Sequence, residues 1–491
     1  MKRAATVVFA ACVMMVASAH VGSPDMVFDG LAGAYPVRVV VRPPDVVPGI
    51  AEVIVRVRAA DVQRVSVRPV FWRAGAKGAP SADEIKRVPG TGNVYTGQTW
   101  LMSRGSYSVY VIVDGARGSG TAIVPVNAFA TGRLPLSPAL GAILIVLGLL
   151  LVAGMLTIIR AAVGESLIPP GETFSAPQRR RANLVTAVAA PVLALLVFGG
   201  AAWWNSVDAD YQRTMFRPPA AETQIDTDAT HRTLHLTVRD TAAFRSVIAP
   251  LVPDHGKMMH LFLVSRRGFQ SFSHLHPVQT DSLQFTTELP WAPAGPYLLF
   301  GDFVLENGTS LTVSKSIDIP PAPGLVTPSD SDDSWDRTAE ITPLVAGSVR
   351  LLSRGYTMSW DGAPLAARQP VDLKFTVRDS SGAVAPLEPY LGMAAHAVIV
   401  DHDASVFVHL HPMGTVATVS QTAFALRDEG DTTRDGRLPA AALQAAPMPP
   451  MAMAGTLSFP YEFPKPGRFR IWVQVKARGQ VMTGAFDATV R

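Results

Sequence analysis

The sequence predicts a mainly β chain: three immunoglobulin-like β-sandwich domains and a two-helix transmembrane hairpin. Three observations predict it. Short runs alternate apolar and polar residues, two stretches of helical length carry no charge, and one histidine-bearing motif occurs twice in the C-terminal half.

Composition sets the bounds. A chain of 491 residues has room for three or four domains, and 48% hydrophobic against 17% charged residues points to membrane segments beside globular material. The net charge of +4 comes with no basic, aromatic-laced stripe, so no nucleic-acid partner is expected. Forty prolines and 39 glycines suit many short strands joined by turns. The single cysteine, Cys12, lies in the N-terminal apolar stretch. Disulfides, thiolate catalysis and zinc-thiolate or Cys-containing copper sites are thereby excluded from the globular part.

Residues 1–19 read as a signal peptide. Lys2 and Arg3 precede the apolar run 4–16, and Ala17-Ser18-Ala19 forms a small-residue cleavage site. An uncleaved anchor would leave the same topology, and the apolar run continuing past Cys12 speaks against a lipoprotein. Residues 20–137 form the first extracytoplasmic sandwich, with runs such as Val53-Ile54-Val55-Arg56-Val57 and no histidine after His20. The spans at 138–160 and 183–204 are each long enough to cross about 30 Å of hydrocarbon. The loop between them, 161–182, carries Arg179, Arg180 and Arg181 and is assigned to the cytoplasm; Trp203 and Trp204 mark the outer interface. This places the chain in a bacterial cytoplasmic (inner) membrane, with both globular parts periplasmic.

The two remaining sandwiches, 205–325 and 338–491, are copies of one another. The first reads Gly256 to His260, an apolar strand, then Phe272-Ser273-His274-Leu275-His276-Pro277; the second reads Gly392 to His396, an apolar strand, then Phe407-Val408-His409-Leu410-His411-Pro412. Closing strands follow at Gly295-Pro296-Tyr297 and Gly467-Arg468-Phe469. The second copy carries an Ala/Pro-rich insertion, 414–455, expected to be a mobile excursion.

This pattern resembles bacterial secreted or membrane-anchored proteins described as heavy-metal-binding, whose His-x-His-Pro sandwiches are similar to YtkA-like and FixH-like domains. The resemblance covers roughly residues 230–320 and 340–491 and implies an extracytoplasmic sandwich that handles metal. It does not explain the first domain, the helices or the insertion.

Histidines two apart on a strand share a face, so His274 and His276 project together, as do His409 and His411. An odd hairpin loop in the first copy and an even one in the second bring His260 and His396 onto those faces. Two clusters of three imidazoles result, suited to copper, zinc or nickel. The competing reading is a hydrogen-bonded ladder of half-buried histidines, and duplication copies structural residues too. His255 and His402 fall off the pattern, in loops, and are not assigned as ligands. Softer donors favour copper: Met258, Met259 and Met393 precede the leading histidines, and Met448, Met451 and Met453 lie in the insertion. Core packing is the alternative for the first group. Asp302 is a weaker carboxylate candidate, with Gln474 at its matching place.

The expected function is copper capture or delivery, with a membrane transporter or oxidase assembly as the expected neighbour and zinc as the alternative ion. The second expectation is a non-catalytic scaffold of stacked sandwiches. No Ser-His-Asp order or phosphate loop supports an enzyme, and no Glu flanks the clusters as a general base.

Overall fold

The computed structural model describes the chain except residues 1–19, 22–24, 166–167, 169–170, 174, 229–230, 240–248, 290–291, 322–329, 338–341, 344, 346, 363, 431–436, 440–441 and 444–452. The expected signal peptide therefore lies outside the described residues. Two compact bodies are formed: one of residues up to Phe129 together with Arg217–Arg491, the other of Ala130–Phe216.

The smaller body holds the helices Pro138–Glu165 and Ala176–Arg213, both long and apolar enough to cross a membrane. Each outruns the span read from the sequence, because helix continues past the charge-free window into residues that favour it. The second begins at Ala176, where the Ser175 N–H donates to Gln178 Oε1 at 3.0 Å, so the arginine cluster lies on its first turns rather than in a loop.

The larger body contains three two-sheet sandwiches. In the first, a five-stranded sheet and a four-stranded sheet enclose a valine-rich core including Val39, Val53, Val67 and Val111. Alternation builds it: the strand Tyr35–Arg42 buries Tyr35, Val37, Val39 and Val41 in turn. The first repeat pairs a four-stranded sheet, burying Leu234, Leu236 and Phe285, with a six-stranded one burying Leu261, Leu263 and Leu299. The second repeat does the same around Phe375, Phe459, Ile399 and Phe486.

The strands His260–Ser265 and His396–Asp401 are buried at all six positions, which a sandwich with a solvated outer face would not allow. The cause is a second interface. Phe262, Val264, Phe272 and Phe300 on the outer face of the first repeat pack against Val398, Val400, Phe407 and Trp472 on the outer face of the second. Phe300 stacks on Phe407 at 4.2 Å between centroids, and Phe272 on Trp472 at 4.8 Å. Phe300 and Trp472 hold matching positions in the two copies, as do Phe272 and Phe407. The pairing is a pseudo-twofold exchange.

The insertion departs from expectation. Residues Thr418–Glu429 form a helix whose Val419, Ala423 and Phe424 are buried, closed by Gly430 in the left-handed conformation (φ 79°). Its Gln421 side chain donates to the Ile123 carbonyl at 2.6 Å, and Arg427 donates to the Glu306 carbonyl at 2.9 Å. A short helix that begins with Thr, Ser and Gln and ends with Arg, Asp and Glu reads as polar filler until its partners are known. The preceding turn docks as tightly: Thr415 N–H donates to Val27 O at 2.9 Å, and a Cβ on Gly414 (φ 112°) would meet that oxygen at 2.0 Å.

Candidate metal centre

The histidine faces lie at one end of this inter-repeat interface. The hairpin connections, residues 266–270 and 402–405, are odd and even, and each leaves three imidazoles on the outer face. One ring nitrogen from each of His260, His274 and His276 lies within 4.8 Å of the others, and the same holds for His396, His409 and His411.

The partners of these rings assign their protons. His260 Nε2 lies 3.2 Å from the Asp254 carbonyl, an acceptor only, so that nitrogen carries the hydrogen and Nδ1 keeps its lone pair. His274 Nδ1 lies 2.9 Å from Gln474 Oε1, whose amide donates to Ser334 Oγ at 2.5 Å, so Nε2 is the lone-pair nitrogen. The two lone pairs face each other at 3.2 Å. The second copy repeats the arrangement. His396 Nε2 lies 3.2 Å from the Tyr390 carbonyl, His409 Nδ1 is 3.5 Å from Asp302 Oδ2, and the facing nitrogens are 3.0 Å apart.

The third histidine of each set is pinned from behind. His276 Nδ1 bonds Asp333 Oδ1 at 2.8 Å, and His411 Nδ1 lies 3.4 Å from the Val416 carbonyl. The Nε2 atoms of both are buried without a partner. Burial, reinforced by neighbouring imidazoles, holds His260, His274, His396 and His409 well below the usual histidine range. Desolvation brings His411 down to about 4 and raises the Asp302 carboxyl to about 7. A proton shared between facing nitrogens is thus disfavoured. Nitrogens 3.0–3.2 Å apart match two corners of a tetrahedron around a cation with bonds of about 2 Å.

Other assigned residues fall elsewhere. Met259 is fully buried with its sulfur against Gly301, on the opposite face of the sheet, and Met393 belongs to the core of the first sandwich. Both are packing residues, not ligands: Met259, one residue before the strand, turns to the face opposite the histidines, and Met393 closes the Tyr390–Met393 turn against the first sandwich. Met258 is half-buried, Met453 packs against the core of the second repeat, and Met448 and Met451 lie outside the described residues. Asp302 accepts from Thr312 Oγ1 at 2.6 Å and supports the other copy's His409. His402 is remote, its ring against Phe269.

Sequence reasoning set His255 aside, yet its side chain is fully buried beside His411, with ring centroids 4.9 Å apart. Asp254, Asp333 and Tyr390 went unassigned as well. The signal available was the uninterrupted apolar strand behind each leading histidine, which demands a partner on both faces.

A family model matches residues 221–320 and 352–491; it is a domain of unknown function, DUF8832. The match covers both repeats and neither the first sandwich nor the helices. No curated protein matches the chain. Among solved structures, the Escherichia coli adhesin FdeC aligns at 11% identity over 94% of this chain and 100% of its own, with a TM-score of 0.16. Titin domains I67–I69 align at 7% identity over 90% and 92%, with a TM-score of 0.15. Superpositions this loose carry no argument, and the sandwich architecture rests on the strand pairing above.

Proposed function

We propose that this chain is a membrane-anchored extracytoplasmic protein that binds a transition metal, copper first, in its buried histidine sets. One observation carries the reading: in each repeat two imidazole nitrogens face each other at 3.0–3.2 Å, while the far nitrogens of His260, His274 and His396 are turned to acceptors and that of His409 lies 3.5 Å from the Asp302 carboxyl. Metal-bound histidines are held in this way, with the far N–H donated to a carbonyl or carboxylate. Asp333 lies against His276, and Asp254 and Asp302, whose carboxyls burial raises, can give up a proton to offset a bound cation. With Met259 and Met393 in cores, copper ranks ahead of zinc on its place in the divalent affinity order, not on thioether donors.

The two apolar helices and the arginine-flanked connection between them support a periplasmic face of the inner membrane. Capture or delivery beside a membrane transporter or oxidase assembly follows from that placement, and binding rather than turnover is the role. The test is elemental analysis of the full chain in detergent after copper loading and desalting. Two coppers per chain are expected, lost when His274→Ala and His409→Ala are combined; copper content no higher than that of an unrelated protein overturns the reading.

A second reading, a scaffold of stacked sandwiches, is favoured by the aromatic interface between the repeats. It leaves the histidines unexplained. A buried polar atom without a partner costs about 1–3 kcal/mol, and apolar side chains would pack there without that penalty.

A further inference from the structure

The ring spacing does not change at the boundary between the repeats. Within the first, His260 lies 5.4 Å from His274 and 5.2 Å from His276 between centroids; across the boundary it lies 5.2 Å from His409. His274 and His409 are 5.8 Å apart. The supporting groups also cross over: Gln474 of the second repeat orients His274 of the first, and Asp302 of the first faces His409 of the second. Neither set is complete within its own sandwich.

His255 breaks the symmetry. It sits at the first inner position of a two-residue turn, φ 52°, and Leu391 holds the matching position at φ 53°. Its ring is 4.9 Å from His411 and 5.6 Å from His396, both in the other repeat, against 6.2 Å from its own repeat's His260. Its side chain has no exposure and neither nitrogen has a hydrogen-bond partner; Asp254 Oδ2, the nearby carboxylate, is 3.7 Å away. One ligand atom each from Asp254, His255 and His411 lie within 4.8 Å of one another.

We propose that the two sets form one chamber for a pair of copper ions, in which His255 of the first repeat completes the coordination of the ion held by His396, His409 and His411. This rests on the metal-binding reading. It adds that the ions are neighbours, roughly 4–7 Å apart given metal–nitrogen bonds of about 2 Å, and that binding requires the docked pair of repeats.

The test is a copper competition titration of the full chain in detergent, comparing wild type, His255→Leu, His276→Leu and the double variant. Because Leu391 already occupies the matching turn, His255→Leu should keep the fold, checked by near-ultraviolet circular dichroism. His255→Leu is expected to weaken one of the two ions about tenfold or more. Combined with His276→Leu, its effect should depart from the product of the single effects by roughly threefold or more, as coupled sites require. Two ions with His255→Leu titrating like wild type, effects that simply multiply, or a single ion per chain would each overturn the shared chamber. No retained copper in wild type would instead overturn the metal-binding reading beneath it.

Discussion

A buried imidazole kept neutral in the folded chain stores a dependence on pH. His255 and His411 are both held at about 4, whereas an unfolded histidine titrates near 6.5. Between those values the unfolded chain binds protons that the folded chain refuses, so stability is full above about 6.5 and falls as pH drops towards 4. Each site contributes a slope of up to about 1.4 kcal/mol per pH unit in that window. Denaturant unfolding of the metal-free chain from pH 7 to 4 should show this loss, and His411→Leu should reduce it. Asp302, raised to about 7, is partly protonated at neutral pH, so copper binding there should release protons. Calorimetry in buffers of different ionisation enthalpy measures the number released, which Asp302→Asn should lower; the same variant should weaken copper binding about 10–100-fold. At this scale the sequence named six of the seven clustered histidines, because strand alternation and the hairpin lengths fix their face. His255 was not legible, since only the folded turn carries it across to the other repeat.

Secondary-structure elements show where alternation informs and where it falls silent. The two-sided burial of His260–Ser265 and His396–Asp401 was written in their unbroken apolar runs, but which surface covers them depends on docking that no local pattern encodes. Trp472 carries much of that docking through its stacking on Phe272. Trp472→Ala should cost about 3–5 kcal/mol in unfolding free energy and also loosen copper binding, because Gln474 lies on the same strand. The helix Thr418–Glu429 belongs to the same lesson: its small residues gave no strong period, and its order comes from Phe424, fully buried, and from Arg427 and Arg437 closing on Glu306. Phe424→Ala should destabilise the chain by a similar amount and expose Arg427 to trypsin, seen as earlier cleavage in limited proteolysis.

At the scale of the whole chain, duplication explains more than any single motif. Two copies of one sandwich, docked face to face through a pseudo-twofold exchange, place Phe300 on Phe407 and Trp472 on Phe272, and set Gln474 and Asp302 behind each other's histidines. The sheets and the two apolar helices were readable from periodicity. The union of the repeats was not, because the sequence treats each copy as complete. The most direct test of the central claim is copper K-edge X-ray absorption on the loaded, desalted full chain in detergent. The proposed chamber predicts a first shell of nitrogen at about 2 Å with outer-shell scattering from three or more imidazoles per copper; a shell of oxygen without imidazole scattering would contradict it.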